Sequence, residues 1–183
     1  MTEPQIVIRP LGRPGDLGWV VMAHGESYAA EFGWDTTFEA LVARIVADYA
    51  ASHDPASEAA WIAEVDGRRA GCVFCVIAPD GTPQLRILLV EPSARGHHLG
   101  GRLVDECVAF VRRAGHPRIR LWTNDPLAAA RRIYLSRGFT LVAEEPHHSF
   151  GADLIGQVYE LDLTSPAGSF SAPSGAVPAR DPA

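Results

Sequence analysis

The spacing of apolar and polar positions changes several times along the chain, and each change marks an element. Residues 5–9 read QIVIR, an alternating strand closed by Pro10. After Pro14-Gly15-Asp16 the spacing lengthens. Leu17, Val20, Val21, His24, Tyr28 and Glu31 recur at helical intervals, and Gly33 is the stop. Asp35-Thr36-Thr37-Phe38-Glu39 offers an N-cap followed by an acid, and Phe38, Leu41, Ile45 and Tyr49 share one face of the helix it opens. A polar stretch over residues 52–57 precedes two strands, 58–65 and 70–78, joined at Asp66-Gly67, a strong hairpin signal. Asp80-Gly81-Thr82-Pro83 turns into a third strand, 84–90. A helix follows over 99–114, ended by Gly115 and Pro117. Residues 118–122 (RIRLW) alternate, 127–136 are helical up to Gly138, and 139–146 and 156–163 are two last strands around a loop at 147–153.

The order β, α, α, β-β-β, α, β, α, β-β predicts an α/β (α+β) layered domain. Its sheet is mixed and mostly antiparallel, with about seven strands flanked by about four helices. The crossover through helix 99–114 makes strands 84–90 and 118–122 parallel neighbours. Residues 4–164 form the domain. Residues 165–183, rich in Pro, Gly, Ser and Ala, read as a disordered tail.

Composition narrows the function classes. No apolar run reaches the roughly 20 residues of a membrane span, and Met1-Thr2-Glu3-Pro4 lacks the basic-then-apolar pattern of a secretory signal. A cytoplasmic protein without a membrane partner is expected. The three cysteines, Cys72, Cys75 and Cys107, are an odd number and read as reduced thiols. Cys72 and Cys75 are three apart on a strand, so they face opposite sides and share neither a disulfide nor a metal. A net charge of −6 argues against nucleic acid as a partner.

The charge is unevenly placed. All 16 basic residues are arginines. Residues 95–137 hold nine of them against three acids, a local +6, so the rest of the chain carries −12. Within this basic island Arg112, Arg113 and Arg137 read as solvated helix faces. The island also holds a strand feeding the loop Arg95-Gly96-His97-His98-Leu99-Gly100-Gly101 at a helix N-terminus. Free amides and the helix dipole make such a junction an anion site.

The same residues carry a resemblance. Arg95-Gly96-His97-His98-Leu99-Gly100 after ILLVEP is similar to the acyl-CoA loop of the GNAT-type N-acetyltransferases, Arg/Gln-x-x-Gly-x-Gly/Ala. Ala130-Arg131-Arg132-Ile133-Tyr134 followed by Arg137-Gly138-Phe139 resembles that family's second signature. More finely, His24-Gly25-Glu26-x-Tyr28, Gly33-Trp34-Asp35, Leu121-Trp122-Thr123-Asn124 and residues 145–151 resemble the acetyltransferase half of MarR-regulator–acetyltransferase fusions. The chain as read lacks the helix-turn-helix half, so no DNA role is expected.

The resemblance implies acetyl-CoA as co-substrate, no metal, and a primary-amine acceptor, either a small molecule or a protein lysine. The acidic remainder mildly favours a cationic acceptor. Dimers are common in the family, which leaves a homodimer open. Amides from Arg95 through Gly101, with Arg102, would hold the CoA pyrophosphate. Backbone groups around Leu88 and Val90 would bind the pantetheine arm and the thioester oxygen. Tyr134 would protonate the departing thiolate. Two positions depart from the pattern. His98 replaces a glycine, which predicts backbone strain and modestly weaker CoA binding. Leu127 replaces a frequent asparagine, for which Asn124 would substitute.

A general base is harder to read. Some relatives place a glutamate on the strand before the loop. Here that strand offers Gln84 and Arg86, expected on the same face as Leu88 and Val90. Glu26, Tyr28, Trp34, His147 and His148 lie in the segments that wall the acceptor side, with Glu26 and His147 as base candidates. His147-His148 as a loop anchor and Trp34 as a packing aromatic remain open. The competing function is a non-catalytic acyl-CoA sensor, motivated by His98 and the missing glutamate.

Overall fold

The computed structural model describes residues 4–164; the expected tail, 165–183, lies outside them. The elements are β1 (Ile6–Pro10), α1 (Asp16–Phe32), α2 (Thr36–Ser52), β2 (Ala59–Val65), β3 (Arg68–Ile77), β4 (Pro83–Val90), α3 (Leu99–Arg113), β5 (Arg118–Asn124), α4 (Ala128–Ser136), β6 (Thr140–Ser149) and β7 (Ala152–Asp162). One seven-stranded sheet has the order β1-β2-β3-β4-β5-β7-β6. Every pairing is antiparallel except β4 with β5. The expected layered α/β fold, with its mixed, mostly antiparallel sheet and four helices, is the observed one.

The helix ends follow their local chemistry. Asp35 accepts a hydrogen bond from the Thr37 amide at 2.9 Å and starts α2. Gly33 takes a left-handed conformation, its amide bonded back to α1, and ends that helix. The sheet divides two cores. On one face α1 and α2 pack Val20, Phe38, Val42 and Val46 against Ile62, Cys72, Phe74 and Leu89. On the other, α3 and α4 pack Leu103, Val104, Cys107 and Tyr134 against Val73, Cys75, Leu85, Leu121 and Tyr159. Cys72 and Cys75 thus sit in opposite cores, both free.

Strand β4 breaks its own alternation. Its register against β3 shifts so that Ile87 and Leu88 together oppose Val73, and Ile87 has φ 45°. A β-branched residue at positive φ is rare and strained, and a bulge bends its strand. The extra residue turns Leu88 and Val90 toward the α3 core, with Leu85, and Leu89 toward the α1–α2 core. The expected shared face of Gln84, Arg86, Leu88 and Val90 is therefore corrected: the bulge separates the two pairs. It has a second effect. β4 and β5 pair only at Gln84↔Arg120 and Leu85↔Leu121. Beyond Leu85 the two strands diverge, and a V opens in the middle of the sheet.

The expected loop at 147–153 is also corrected. β6 and β7 continue to a two-residue turn, Phe150-Gly151, with φ of 59° and 76°. Successive positive φ values are those of a type I′ hairpin. Phe150 is a poor residue for that turn. Its ring packs on Trp34 and Phe38 at centroid distances of 4.9 and 5.1 Å, and its carbonyl accepts the Asp35 amide at 3.1 Å. Tertiary packing overrides local preference there.

Candidate active site

The V between β4 and β5 is the floor of a cavity of about 490 Å³. Its walls are Leu88, Leu89 and Val90 of β4, the loop before α3, the first turns of α3 and α4, and Tyr28, Glu31 and Phe32 of α1. Apolar walls with a few convergent polar groups suit an organic ligand of cofactor size.

At one end lies the anion site. α3 begins at Leu99, and Leu99, Gly100 and Gly101 are buried in its first turn. The six amides of residues 96–101 find no acceptor among the described residues. They and the dipole of a 15-residue helix converge on the cavity. Gly101 leaves room for an arginine to cross the first turn. A Cβ there would lie 2.2 Å from the guanidinium of Arg137. Arg137 crosses this first turn because Asp105 holds it through two bonds of 3.0 and 3.1 Å. Read from the sequence as a solvated arginine, it lines the cavity instead.

His98 keeps the backbone path that glycine would take. As N-cap of α3 it has φ 56° and ψ 20°, left-handed, with no side-chain cap bond. Histidine tolerates this region better than most residues but still at a cost. The strain is therefore already in the fold. His98→Gly is expected to raise stability by about 0.5–1 kcal/mol and the melting temperature by about 1–4 °C. Acetyl-CoA affinity should stay level; a loss measured by calorimetry would make the imidazole a phosphate ligand.

Arg95 and Glu31 form an ion pair across the mouth of the cavity, linking the loop to the end of α1. Glu31 is the only carboxylate among the described lining residues. Its lone sequence signal is its place one turn beyond Tyr28 on the inward face of α1. Tyr28 stacks on Phe38 at 4.5 Å and on the fully buried His24 at 5.8 Å. His24 donates from Nδ1 to the Val20 carbonyl at 2.8 Å, and its Nε2 is sealed without a partner. Burial pulls its pKa down to about 4, so the ring is neutral at neutral pH. Below the ordinary value of 6.5 the unfolded chain binds a proton that the folded one does not. Stability is expected to fall between about pH 6.5 and 4 for this reason, and urea titrations across that range would show it.

Tyr134 lies on α4 with the lining residues Ala130 and Ile133 and is 4 % exposed. Burial, with Tyr28 and Cys107 nearby, pushes its phenol above the ordinary value of 10. Among the described residues its hydroxyl has no hydrogen-bond partner, and the only polar side-chain atom both sealed and partnerless is His24 Nε2. The phenol is thus protonated and free to donate into accessible space.

The predicted site residues sort by place. Tyr28, Leu88, Val90, Arg95, Gly96, His98, Leu99, Gly100 and Gly101 line the cavity. His97 and Arg102 flank the loop without lining it. Asn124, at the end of β5, accepts from His147 Nε2 at 2.9 Å, and His147 Nδ1 meets Ser149 Oγ at 2.9 Å. Glu26 is exposed on α1, and His148 pairs outward with Asp153 at 2.7 Å. Trp34 is sealed in the aromatic cluster with Tyr28, Phe32, Phe38 and Phe150. Among the described residues no three His, Cys, Asp or Glu gather as metal ligands, and no helix is long and apolar enough to cross a membrane.

A sequence profile described as the acetyltransferase (GNAT) family matches residues 20–139. An uncharacterized N-acetyltransferase of Schizosaccharomyces pombe is 30% identical over 151 residues, 81% of this chain and 90% of that protein. A mycothiol acetyltransferase of Thermomonospora curvata is 34% identical over 90 residues, 49% of this chain and 30% of the relative. Among solved structures, yncA of Salmonella typhimurium, determined with its cofactor acetyl-CoA, superposes with a TM-score of 0.72 at 20% identity, covering 91% of this chain and 99% of its own.

Proposed function

From the premise that this chain belongs to the acetyltransferase (GNAT) family, we propose that it transfers the acetyl group of acetyl-CoA to a primary amine by direct attack. The observation that carries this reading is the run of six free amides at the N-terminus of α3, opening on a cavity that ends where β4 and β5 part. Acetyl-CoA supplies an activated acyl carbon: the amine forms an N–C bond to it, the C–S bond breaks, and CoA leaves as a thiol.

The chain's own groups fit that chemistry. Amides 96–101 bind pyrophosphate, and Arg95 and Arg137 add positive charge beside them. The unpaired edge of β4 at Leu88–Val90 offers backbone groups to the pantetheine arm and the developing oxyanion. Tyr134 donates its proton to the leaving sulfur. His147 is the better placed of the two expected bases. With Asn124 Oδ1 accepting from Nε2, its Nδ1 takes the Ser149 hydroxyl proton and can relay a proton through it. Glu26 has no such connection.

Residues 4–164 make up the acetyltransferase domain in this reading. A small amine or protein lysine is the acceptor, with Tyr28 on its wall. A cytoplasmic location is supported by the three free buried thiols. The motifs at residues 24–28, 121–124 and 145–151 support the finer likeness to the acetyltransferase half of MarR-regulator fusions. Release of thiol from acetyl-CoA over a panel of primary amines tests the proposal. Turnover of at least one amine is expected; tight CoA binding with no turnover on any would replace it with the sensor reading.

A further inference from the structure

The α1–α2 core draws its strand residues from β2, β3, β4 and the start of β7, and none from β5 or β6. Trp122 lies on that face of β5, and 42 % of its surface is exposed. It is the first β5 residue beyond the last rung with β4, so it stands at the throat of the V. Its ring rests on Gly156, where a Cβ would come within 2.9 Å of the indole Nε1 and 3.3 Å of the His147 ring. The indole and imidazole centroids are 5.6 Å apart. Glycine at 156 therefore makes room for an aromatic shelf with His147 at its edge.

A carboxylate completes the arrangement. Asn124, Gly156 and Glu145 form one rung across β5, β7 and β6, so their side chains share a face, and His147 Nε2 on Asn124 confirms which face it is. Glu145 is exposed and has neither hydrogen bond nor ion pair among the described residues. Of the two arginines on β5, Arg120, two residues before Trp122, is held by Asp80 and Glu160 at 2.9 Å each, and Arg118 lies at the far end of the strand. An indole face beside a free carboxylate is a site for a positive charge.

We propose that Trp122, Glu145 and His147 form an acceptor shelf that selects amines bearing a second cationic group. The distal cation rests on Trp122 and Glu145 while the reacting amine enters the V. The shelf rests on the acetyltransferase reading and names its substrate class: a diamine, or a lysine side chain with a basic neighbour.

The test compares 1,5-diaminopentane with n-pentylamine as acceptors. The wild type is expected to prefer the diamine in kcat/KM by about tenfold or more. Trp122→Ala should raise the KM for diamine by about 3–30-fold and, like Glu145→Gln, collapse the preference. Gly156→Ala, which crowds the ring, should act in the same direction, and Trp122→Phe should restore part of the preference. Equal handling of the two amines by the wild type would overturn the shelf. So would a parallel rise in the acetyl-CoA KM of Trp122→Ala. If no amine is turned over, the acetyltransferase reading fails but the shelf remains testable by calorimetry on CoA-loaded protein. Diamine binding that Trp122→Ala abolishes supports it, and no binding to the wild type refutes it.

Discussion

Tyr134→Phe is expected to lower kcat by about a hundredfold or more, the usual worth of a positioned acid, while leaving acetyl-CoA affinity and folding nearly unchanged. Phenylalanine fills the same space. The ring packs near Phe139 and Tyr159 at 5.9 and 6.5 Å, and the hydroxyl makes no hydrogen bond among the described residues that a variant would break. What the variant removes is the proton for the leaving sulfur. Burial holds the phenol above its ordinary value of 10. Loss of that proton therefore does not limit the rate below about pH 10. Steady-state kinetics with an accepted amine, beside calorimetry of CoA binding, decide the matter. A kcat within threefold of wild type would assign the proton to another donor.

The largest effect on stability is expected at Asp16, far from the cavity. Its side chain is fully buried at the start of α1 and accepts five hydrogen bonds of 2.7 to 3.1 Å, from Arg9, Arg69 and the amides of Gly12 and Arg13. Arg9, 8 % exposed, is held between Asp16 and Glu64, with 2.7 Å to the latter. Burial alone would raise the Asp16 pKa, but these donors outweigh it and hold the carboxyl well below the ordinary range. Asp16→Asn leaves Arg9 buried with half its compensation, at an expected cost of about 3–5 kcal/mol. Arg13, whose side chain is 64 % exposed, is the control, and Arg13→Gln should cost under about 1 kcal/mol. The folded pKa lies below the unfolded one, so the Asp16 contribution is complete above about pH 4 and erodes as pH falls below that. Urea unfolding of wild type and variant should converge toward acid pH. A variant gap that stays constant from pH 7 to pH 3 would show that lost packing, not charge, sets the cost.

These two residues differ in how openly the sequence announces them. Tyr134 is legible because it ends a helix in a short motif, at a fixed distance from Gly138-Phe139 and from the loop at 95–101. Asp16 reads as an ordinary first-turn acid. Its partner Arg69 lies 53 positions away, and Glu64, which shares Arg9 with it, lies 48 away, so no local pattern joins them. Arg137 shows the same contrast within the site. The sequence gives a charged residue after a helix; the fold lays it across α3 because Asp105 and the missing Cβ of Gly101 receive it.

The order of elements, the stops at Gly33 and Gly138, the cap at Asp35 and the anion loop at 95–101 were decided by the sequence, because each depends on residues a few positions apart. The bulge at Ile87, the opening of the V at Trp122, the tight turn at Phe150-Gly151 and the burial of Arg9 with Asp16 were decided only by the tertiary structure. The bulge and the turn hold Ile87 and Phe150 at positive φ, Arg9 and Asp16 are buried charges, and the V follows from the bulge; all depend on partners from distant strands and helices. Such contacts leave no periodicity along the chain.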